Sequence, residues 1–381
     1  MHPPLRFVLL VAFCFIETAL AGAEPRYVVR SLVPDSLALI SSAGIGINRQ
    51  GDVVGSYWAS APWPKSSIFV YSTTRGYRDL GYPGEGIAIP GGINDYGQVA
   101  LRESVAPEVS HVFRWSEAAG FQDLGGLSGS TYSEVVDINN AGQIVGTAEQ
   151  ADESNTAYVY TEGIGMQAVG APAEIQGTAW SINDNGWITG NSNGWNAFIY
   201  RPGIGMTSIG SGIGTSINNS GVVAGTAGGP LGTVQAFVHR NGTNVLFGTL
   251  GGGNSDAYGI NDYDVVVGWS EAPAPLPLTA FIWTEQEGMV ALHSLIYSTS
   301  GWILNMARAI NDSGQITGWG YFEGKSRAYR LDPIPPRLNI DRSATNLLVS
   351  WSPAWPGIVL ESSSTLSPPE WQPRPMAREP W

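Results

Sequence analysis

Carboxylates in the connections between predicted strands are the residues of this chain whose type best suits catalysis. Five of them lie in segments of variable length: Glu85, Glu103, Glu149, Asp152 and Glu271. Two carboxyl groups held about 5–10 Å apart could act together on a glycosidic bond. The sequence leaves open whether any two of them face each other. A propeller-type glycoside hydrolase or polysaccharide lyase is therefore one alternative interpretation.

No other residue type in the chain forms a spacing pattern that is typical of a catalytic or metal site. Three histidines follow the N-terminal leader described below, and none has a partner at metal-ligand spacing: His111, His239 and His293. The chain contains no phosphate-binding loop. We therefore predict no catalytic residue, no cofactor and no metal, and we favour a non-enzymatic role.

Aromatic rings in the same variable connections are the residues best suited to binding. Six of them are candidate ligand-binding residues: Trp58, Trp63, Trp195, Trp269, Trp319 and Tyr321. Exposed rings near acidic residues suit stacking on sugars, and variable loops on a rigid scaffold commonly carry binding. The alternative for each ring is packing between neighbouring repeats. A glycan or an extracellular protein is the expected partner.

A repeated Ile-Asn step must position these residues. Its seven asparagines are separated by 46, 45, 44, 35, 43 and 50 residues: Asn48, Asn94, Asn139, Asn183, Asn218, Asn261 and Asn311. In its commonest form the step continues as Asn-Asp-x-Gly, and a β-branched strand follows. Asn suits the start of a type I turn because its side chain accepts from backbone N–H groups two residues on, and Gly suits the end, where φ is positive. We assign the asparagines a structural role in this turn.

Each repeat is long enough for four antiparallel strands, the unit of a β-propeller blade. The third strand carries an aromatic step such as AFIY. A second Gly, four residues after the turn Gly, predicts close approach of another segment, and we expect that segment to be the third-strand ring. The last repeat is one strand short, whereas an unassigned strand at residues 27–33 precedes the first repeat. We predict an all-β fold, a seven-bladed β-propeller closed by this N-terminal strand over residues 24–333, and not an open solenoid.

The repeat has a recognisable consensus. The pattern Ala-x-x-Ile-Asn-x-x-Gly-x-(Val/Ile)-x-Gly, at Ala179, Ala257 and Ala307, resembles the HAF-type extracellular repeat of bacterial secreted proteins. The third-strand segments QAF, TAF, NAF and HVF match the naming segment of that repeat. The resemblance covers all seven repeats. It implies an exported, propeller-like protein and implies no activity.

The two ends of the chain differ from the repeats. Residues 1–23 contain Arg6, an apolar run and a small-residue site ending at Ala23, which is the pattern of a cleaved secretory signal peptide. The only cysteine, Cys14, lies within this leader. Residues 334–381 form a short β-rich extension that resembles part of a small secreted β-sandwich. We expect a secreted or periplasmic protein.

Charge excludes some partners. The formal net charge of the 381 residues is −13, which disfavours nucleic acid and anionic membrane surfaces. No segment after the leader is apolar and long enough for insertion into a membrane. We expect a monomeric scaffold that binds a glycan or a protein through the face with variable connections. A structural surface-layer component is a further alternative.

Overall fold

The computed structural model describes residues 25–352, 361–362 and 372–373, except for residues 38, 60–64, 85, 107, 153, 171–175, 193, 230–231 and 343–346. The predicted signal peptide, Trp63 and Glu85 lie outside the described residues. The repeats form one compact unit, Tyr27–Pro333. No helix in the described part of the chain is both long and apolar enough to span a membrane.

Seven four-stranded antiparallel sheets make up this unit, which confirms the predicted seven-bladed β-propeller. Blade 1 contains β2 (Leu39–Ile47), β3 (Val53–Ala59), β4 (Lys65–Ser72) and β5 (Gly76–Gly81). Blade 2 contains β6 (Ala88–Ile93), β7 (Val99–Ala106), β8 (Val109–Ser116) and β9 (Gly120–Gly125). Blade 3 contains β10 (Ser130–Ile138), β11 (Ile144–Gln150), β12 (Asn155–Thr161) and β13 (Gly165–Ala168).

The remaining blades continue in chain order. Blade 4 contains β14 (Gly177–Ile182), β15 (Ile188–Ser192), β16 (Asn196–Arg201) and β17 (Gly205–Ser211). Blade 5 contains β18 (Ile213–Ile217), β19 (Val223–Gly228), β20 (Val234–Arg240) and β21 (Thr243–Leu246). Blade 6 contains β22 (Ser255–Ile260), β23 (Val266–Glu271), β24 (Leu278–Thr284) and β25 (Gly288–Ala291). Two 3-10 helices, Leu292–Leu295 and Ser298–Ser300, precede blade 7, which contains β26 (Trp302–Ile310), β27 (Ile316–Phe322), β28 (Lys325–Pro333) and β1 (Tyr27–Ser31).

The N-terminal strand closes the ring, as predicted. β1 pairs antiparallel with β28, from Tyr27 opposite Pro333 to Ser31 opposite Tyr329. Without β1 the outer edge of β28 would present unpaired backbone groups. Arg330, also on β28, is buried; it donates to the Gly51 carbonyl at 2.7 Å and to Thr73 Oγ1 at 2.9 Å. It therefore joins blade 7 to blade 1.

Close packing inside each blade explains the second glycine of the repeat. A Cβ on Gly190 would overlap the carbonyl of Thr178 on the first strand and would also contact the Phe198 ring of the third strand. The prediction that the close neighbour is the third-strand aromatic ring is thus incomplete, because the first-strand carbonyl lies nearer to the position of the added Cβ. The same carbonyl contact occurs at five other glycines of this set: Gly55, Gly146, Gly225, Gly268 and Gly318. Blade 2 carries a fully buried Leu101 instead.

The C-terminal residues lie outside the propeller unit. Their described strands form two separate antiparallel pairs. β29 (Arg337–Arg342) pairs with β30 (Leu347–Ser352), and β31 (Glu361–Ser362) pairs with β32 (Gln372–Pro373).

Candidate functional site

The repeated asparagines bind both their own turn and the neighbouring blade. Asn183 Oδ1 accepts from the N–H groups of Asn185 at 3.0 Å and Trp187 at 2.9 Å. Its Nδ2 donates to the Asn218 carbonyl of the next blade at 2.8 Å. The turn explains only the first role. The sequence alone does not predict the inter-blade bond, because that bond depends on which blades are neighbours.

The residue after each asparagine surrounds one mouth of the central channel, next to a cavity of about 210 Å³. Six of these residues accept a backbone N–H from the preceding blade: Asp95, Asn140, Asp184, Asn219, Asp262 and Asp312. Arg49 occupies the seventh position and offers no acceptor. Among the described residues, no group of three or more His, Cys, Asp or Glu side chains is placed to hold a metal ion. The polar residues of this mouth therefore bond neighbouring blades to each other.

The opposite face, which we call the loop face, carries the connections from second to third strands and from each blade to the next. Trp58, Trp195 and Tyr321 are exposed there. Trp319 packs edge-on against Tyr321, with ring centroids 6.1 Å apart. Trp269 is half-buried and lies opposite Asp256 in the pairing of the first two strands of blade 6. The structure therefore brings together only some of the six predicted rings.

Most of the predicted loop carboxylates accept hydrogen bonds from connections on the loop face. Glu103 is buried, and its Oε1 accepts from the N–H groups of Gly84 at 2.8 Å and Gly86 at 3.3 Å. Burial raises the pKa of this carboxyl. Glu271 accepts from Gly253 N–H at 2.9 Å and from Asn254, whose side-chain hydrogen bond is the largest cause of its lowered pKa.

The other two described loop carboxylates lie on blade 3. Asp152 accepts from both the backbone and the hydroxyl of Ser154, and these hydrogen bonds lower its pKa. Glu149 is exposed. Glu103 and Glu271 thus bond the connection that enters their blade, and Asp152 bonds within its own connection.

Exposed apolar residues cluster on three neighbouring blades of the loop face. On blade 7, Ile303 lies opposite Tyr321 in the pairing of the first two strands. On blade 1, Ile40 precedes Ser41, the cross-strand partner of Trp58. Together with the exposed pair on blade 2 they form what we call the apolar sector: Ile40, Trp58, Ile87, Val105, Ile303 and Tyr321.

The apolar sector is not a property of the repeat. The residue three positions after the second glycine is Trp58 on blade 1 and Tyr321 on blade 7. The same position carries Ser104 on blade 2, Glu149 on blade 3, Gly228 on blade 5 and Glu271 on blade 6. The rest of the scaffold therefore folds without an apolar residue at this place.

A β-bulge interrupts the inner strand of every blade. In blade 4, for example, Ala179 pairs with Gly190 and Ser181 pairs with Thr189, which leaves Trp180 as the extra residue. The seven extra residues all line one cavity of about 180 Å³ in the central channel: Ile45, Gly91, Val136, Trp180, Thr215, Tyr258 and Arg308. Bulges re-aim side chains and are frequent beside functional sites.

No family model and no curated protein matches this sequence. Solved structures show the fold. The chain is 9% identical to a Mycobacterium tuberculosis puromycin-hydrolyzing peptidase over 87% of this chain and 61% of that one, with a TM-score of 0.52. The gluconolactonase XC5397 from Xanthomonas campestris is 9% identical over 84% and 100% of the two chains, with a TM-score of 0.42. The β-propeller domain of the Trilobed protease from Pyrococcus furiosus is 10% identical over 90% and 100%, with a TM-score of 0.36. At these identities the likeness is one of fold alone.

Proposed function

We propose that this protein is a secreted, non-enzymatic propeller of HAF-type repeats that binds an extracellular protein through its apolar sector. One observation carries the proposal. Three neighbouring blades present exposed apolar residues at the ends of their inner hairpins, whereas blades 3 and 6 carry Glu149 and Glu271 at the position of Trp58 and Tyr321. Exposed apolar residues on neighbouring parts of a monomer can form an interaction site.

The composition of the sector favours a protein over a glycan. Sugars stack on aromatic faces, which Ile40, Ile87 and Ile303 do not offer. Aliphatic side chains around a few aromatic anchors are instead typical of the core of a protein interface. The exposed Trp195 stands on blade 4, outside this sector, and is not part of the proposal.

Charge favours a partner that is neutral or basic at its contact surface. The net charge of −13 repels a second copy of the chain. The buried apolar contact supplies affinity, and the surrounding field affects the rate of association. Salt is therefore expected to slow association more than it changes dissociation.

The test compares two matched triple variants. Ile40→Ser/Ile87→Ser/Ile303→Ser removes the aliphatic part of the sector. Tyr96→Ser/Ile204→Ser/Tyr263→Ser removes three apolar residues from the opposite face that are more exposed than those of the sector. Immobilised wild-type protein is used to capture a ligand from cell-envelope and culture-medium extracts, and the captured protein is then purified and its Kd measured against all three proteins.

The sector variant is expected to bind at least tenfold more weakly, which corresponds to about 1.4 kcal/mol, and the opposite-face variant is expected to bind like wild type. Equal binding by both variants would overturn the proposal. Capture that is lost on glycosidase treatment of the extract would identify a glycan ligand instead. Dimerisation in light scattering that the sector variant abolishes would identify a second copy of the chain.

A further inference from the structure

The central channel breaks the symmetry of the repeat at one position. Each inner strand keeps the Ile-Asn step and a bulge in all seven blades. The bulge residue itself, however, differs in every blade, from Gly91 to Trp180 and Arg308. If the fold required one residue type at the bulge, all seven blades would carry it, as they all carry the asparagine. The bulge side chains are therefore free of the folding constraint.

The cavity that these side chains surround is small. Its volume of about 180 Å³ lies below the roughly 300–1,000 Å³ of pockets that hold drug-sized ligands. Its aromatic walls are Trp180 and Tyr258, and Gly46, Gly92 and Gly259 line it as well. It has room for a ligand of one ring.

Both rings are fixed in place before any ligand arrives. The Trp180 indole N–H donates to Asn191 Oδ1 at 2.9 Å. The Tyr258 ring packs against the Arg308 guanidinium, which covers one of its faces. Such fixed rings offer apolar faces at a low entropic cost of binding.

Arg308 supplies the polar contact. Its guanidinium lies 4.8 Å from the centroid of the Tyr258 ring. Its Nη1 contacts Met306 Sδ at 4.0 Å, and Asp256 is near enough to interact with it electrostatically. Its N–H groups can therefore donate to a ligand in the cavity.

The charge of the surroundings selects a neutral ligand. Asp137 lines the cavity and already accepts from Ser181 Oγ and from the N–H groups of Ile138 and Ile182. Asp256 adjoins it through Tyr258. With one guanidinium against these two carboxyl groups, the channel repels an anion. The Arg308 guanidinium in the wall of the cavity in turn repels a cation, so the site suits an uncharged molecule that is rich in hydrogen-bond acceptors and has an apolar face.

We propose that this cavity is a binding site for a single neutral sugar ring, which packs its C–H face against Trp180 and Tyr258 and accepts hydrogen bonds from Arg308. No residue of the apolar sector lines the cavity. The inference is therefore independent of the protein-binding proposal, and either one can fail alone.

The test uses substitutions that the repeat itself supplies. Trp180→Thr, Tyr258→Ile and Arg308→Val each introduce a residue found at the equivalent bulge of blades 5, 1 and 3, so the backbone there accepts them. Tyr263→Ala, at an exposed position on the opposite face, is the control. Saturation-transfer NMR is run with the methyl glycosides of glucose, galactose, mannose and xylose, and with glucuronic and galacturonic acids. Thermal melting verifies the fold of each variant.

Saturation transfer to at least one neutral glycoside is expected, with a Kd at least tenfold weaker in each folded channel variant and unchanged in Tyr263→Ala. Absence of transfer to every neutral glycoside would overturn the proposal, as would transfer that the channel variants leave unchanged. Transfer restricted to the uronic acids would show an anion site and would also overturn it. Three separate variants keep the test decisive if one of them does not fold.

Discussion

The side-chain amide of Asn311 donates to the backbone carbonyl of Asn48 at 2.9 Å and so joins the last blade to the first. Six equivalent bonds, between 2.8 and 3.2 Å long, link every other pair of neighbouring blades. All seven asparagines are buried. The propeller is thus closed twice, by this inner ring and by the pairing of β1 with β28 at the outer edge.

Asn183→Asp separates the two roles of the repeated asparagine. The carboxylate keeps the acceptor for the turn but loses the donor to Asn218 and places a charge in a buried site. We expect the free energy of unfolding to fall by about 1–3 kcal/mol, because a carboxylate replaces the amide in a buried site and the Asn218 carbonyl keeps only the Gly221 N–H as a donor. Denaturant unfolding at pH 7 measures the change. The control is Asn185→Asp in the same turn, which breaks an exposed inter-blade bond to the Asn219 carbonyl, 2.9 Å long, so a smaller loss of no more than about 1 kcal/mol is expected. Equally small effects at both positions would show that the inner ring contributes nothing.

The second glycine is expected to resist substitution. Gly190→Ala forces its Cβ into the Thr178 carbonyl, and overpacking of this kind costs about 1–3 kcal/mol. Gly228→Ala is the matched control, because no atom lies within 4 Å of the position that its new methyl group would take, and its φ is not positive. Thermal melting of both variants compares them. A Gly190→Ala protein as stable as the Gly228→Ala protein would contradict the close-approach explanation.

Arg330 is expected to hold the closure of the ring. Arg330→Met leaves the Gly51 carbonyl without its donor and Asp332 without the guanidinium that lies 2.8 Å away. We expect a loss of about 3 kcal/mol, the cost of breaking a buried ion pair. Arg30→Met removes an exposed partner of the same Asp332 and is expected to cost less than about 1 kcal/mol. Denaturant midpoints of the two variants decide between a central and a peripheral role for Arg330.

The features that the sequence predicts well are those with local chemistry. The turn at Asn183 and Gly186 requires one side-chain acceptor and one positive φ, and both residue types are visible in the sequence. The number of blades follows from counting strands, because an unpaired edge has to be covered. The donor role of Asn183 cannot be predicted in this way, since its acceptor is 35 residues away in another blade.

The candidate sites depend on geometry that leaves no mark in the sequence. The bulge at Trp180 follows from the register between two strands, and nothing distinguishes that tryptophan from a packed one beforehand. Ile40 and Ile303 are ordinary strand residues, so their exposure is visible only once the hairpins extend past the loop face. The position of Trp269 along its strand is enough to predict the loop face, whereas its partial burial depends on the fold.

Two carboxyl groups near the channel make stability depend on pH. Burial raises the pKa of Asp137 to about 6, against the opposing effect of three hydrogen bonds. Burial likewise raises the pKa of Asp256 to about 6, against the opposing effects of Tyr258 and Arg308. An unfolded Asp titrates near 3.9. Between pH 4 and 6 the folded state therefore binds more protons than the unfolded state, and stability falls as pH rises through this window.

Asp137→Asn is expected to remove one of these two contributions while keeping an acceptor for Ser181 and Ile182. From pH 4.5 to pH 7, the stability of the wild type should therefore decline relative to this variant by about 2 kcal/mol, at about 1.4 kcal/mol for each pH unit over which the two states differ by one proton. Urea unfolding at the two pH values measures the difference. Asp152→Asn is the control, because the pKa of this exposed carboxyl is lowered and its contribution has the opposite sign. A wild type and an Asp137→Asn variant that change in parallel would mean that Asp137 is charged at both pH values, and hence that the channel is more fully hydrated than its burial indicates.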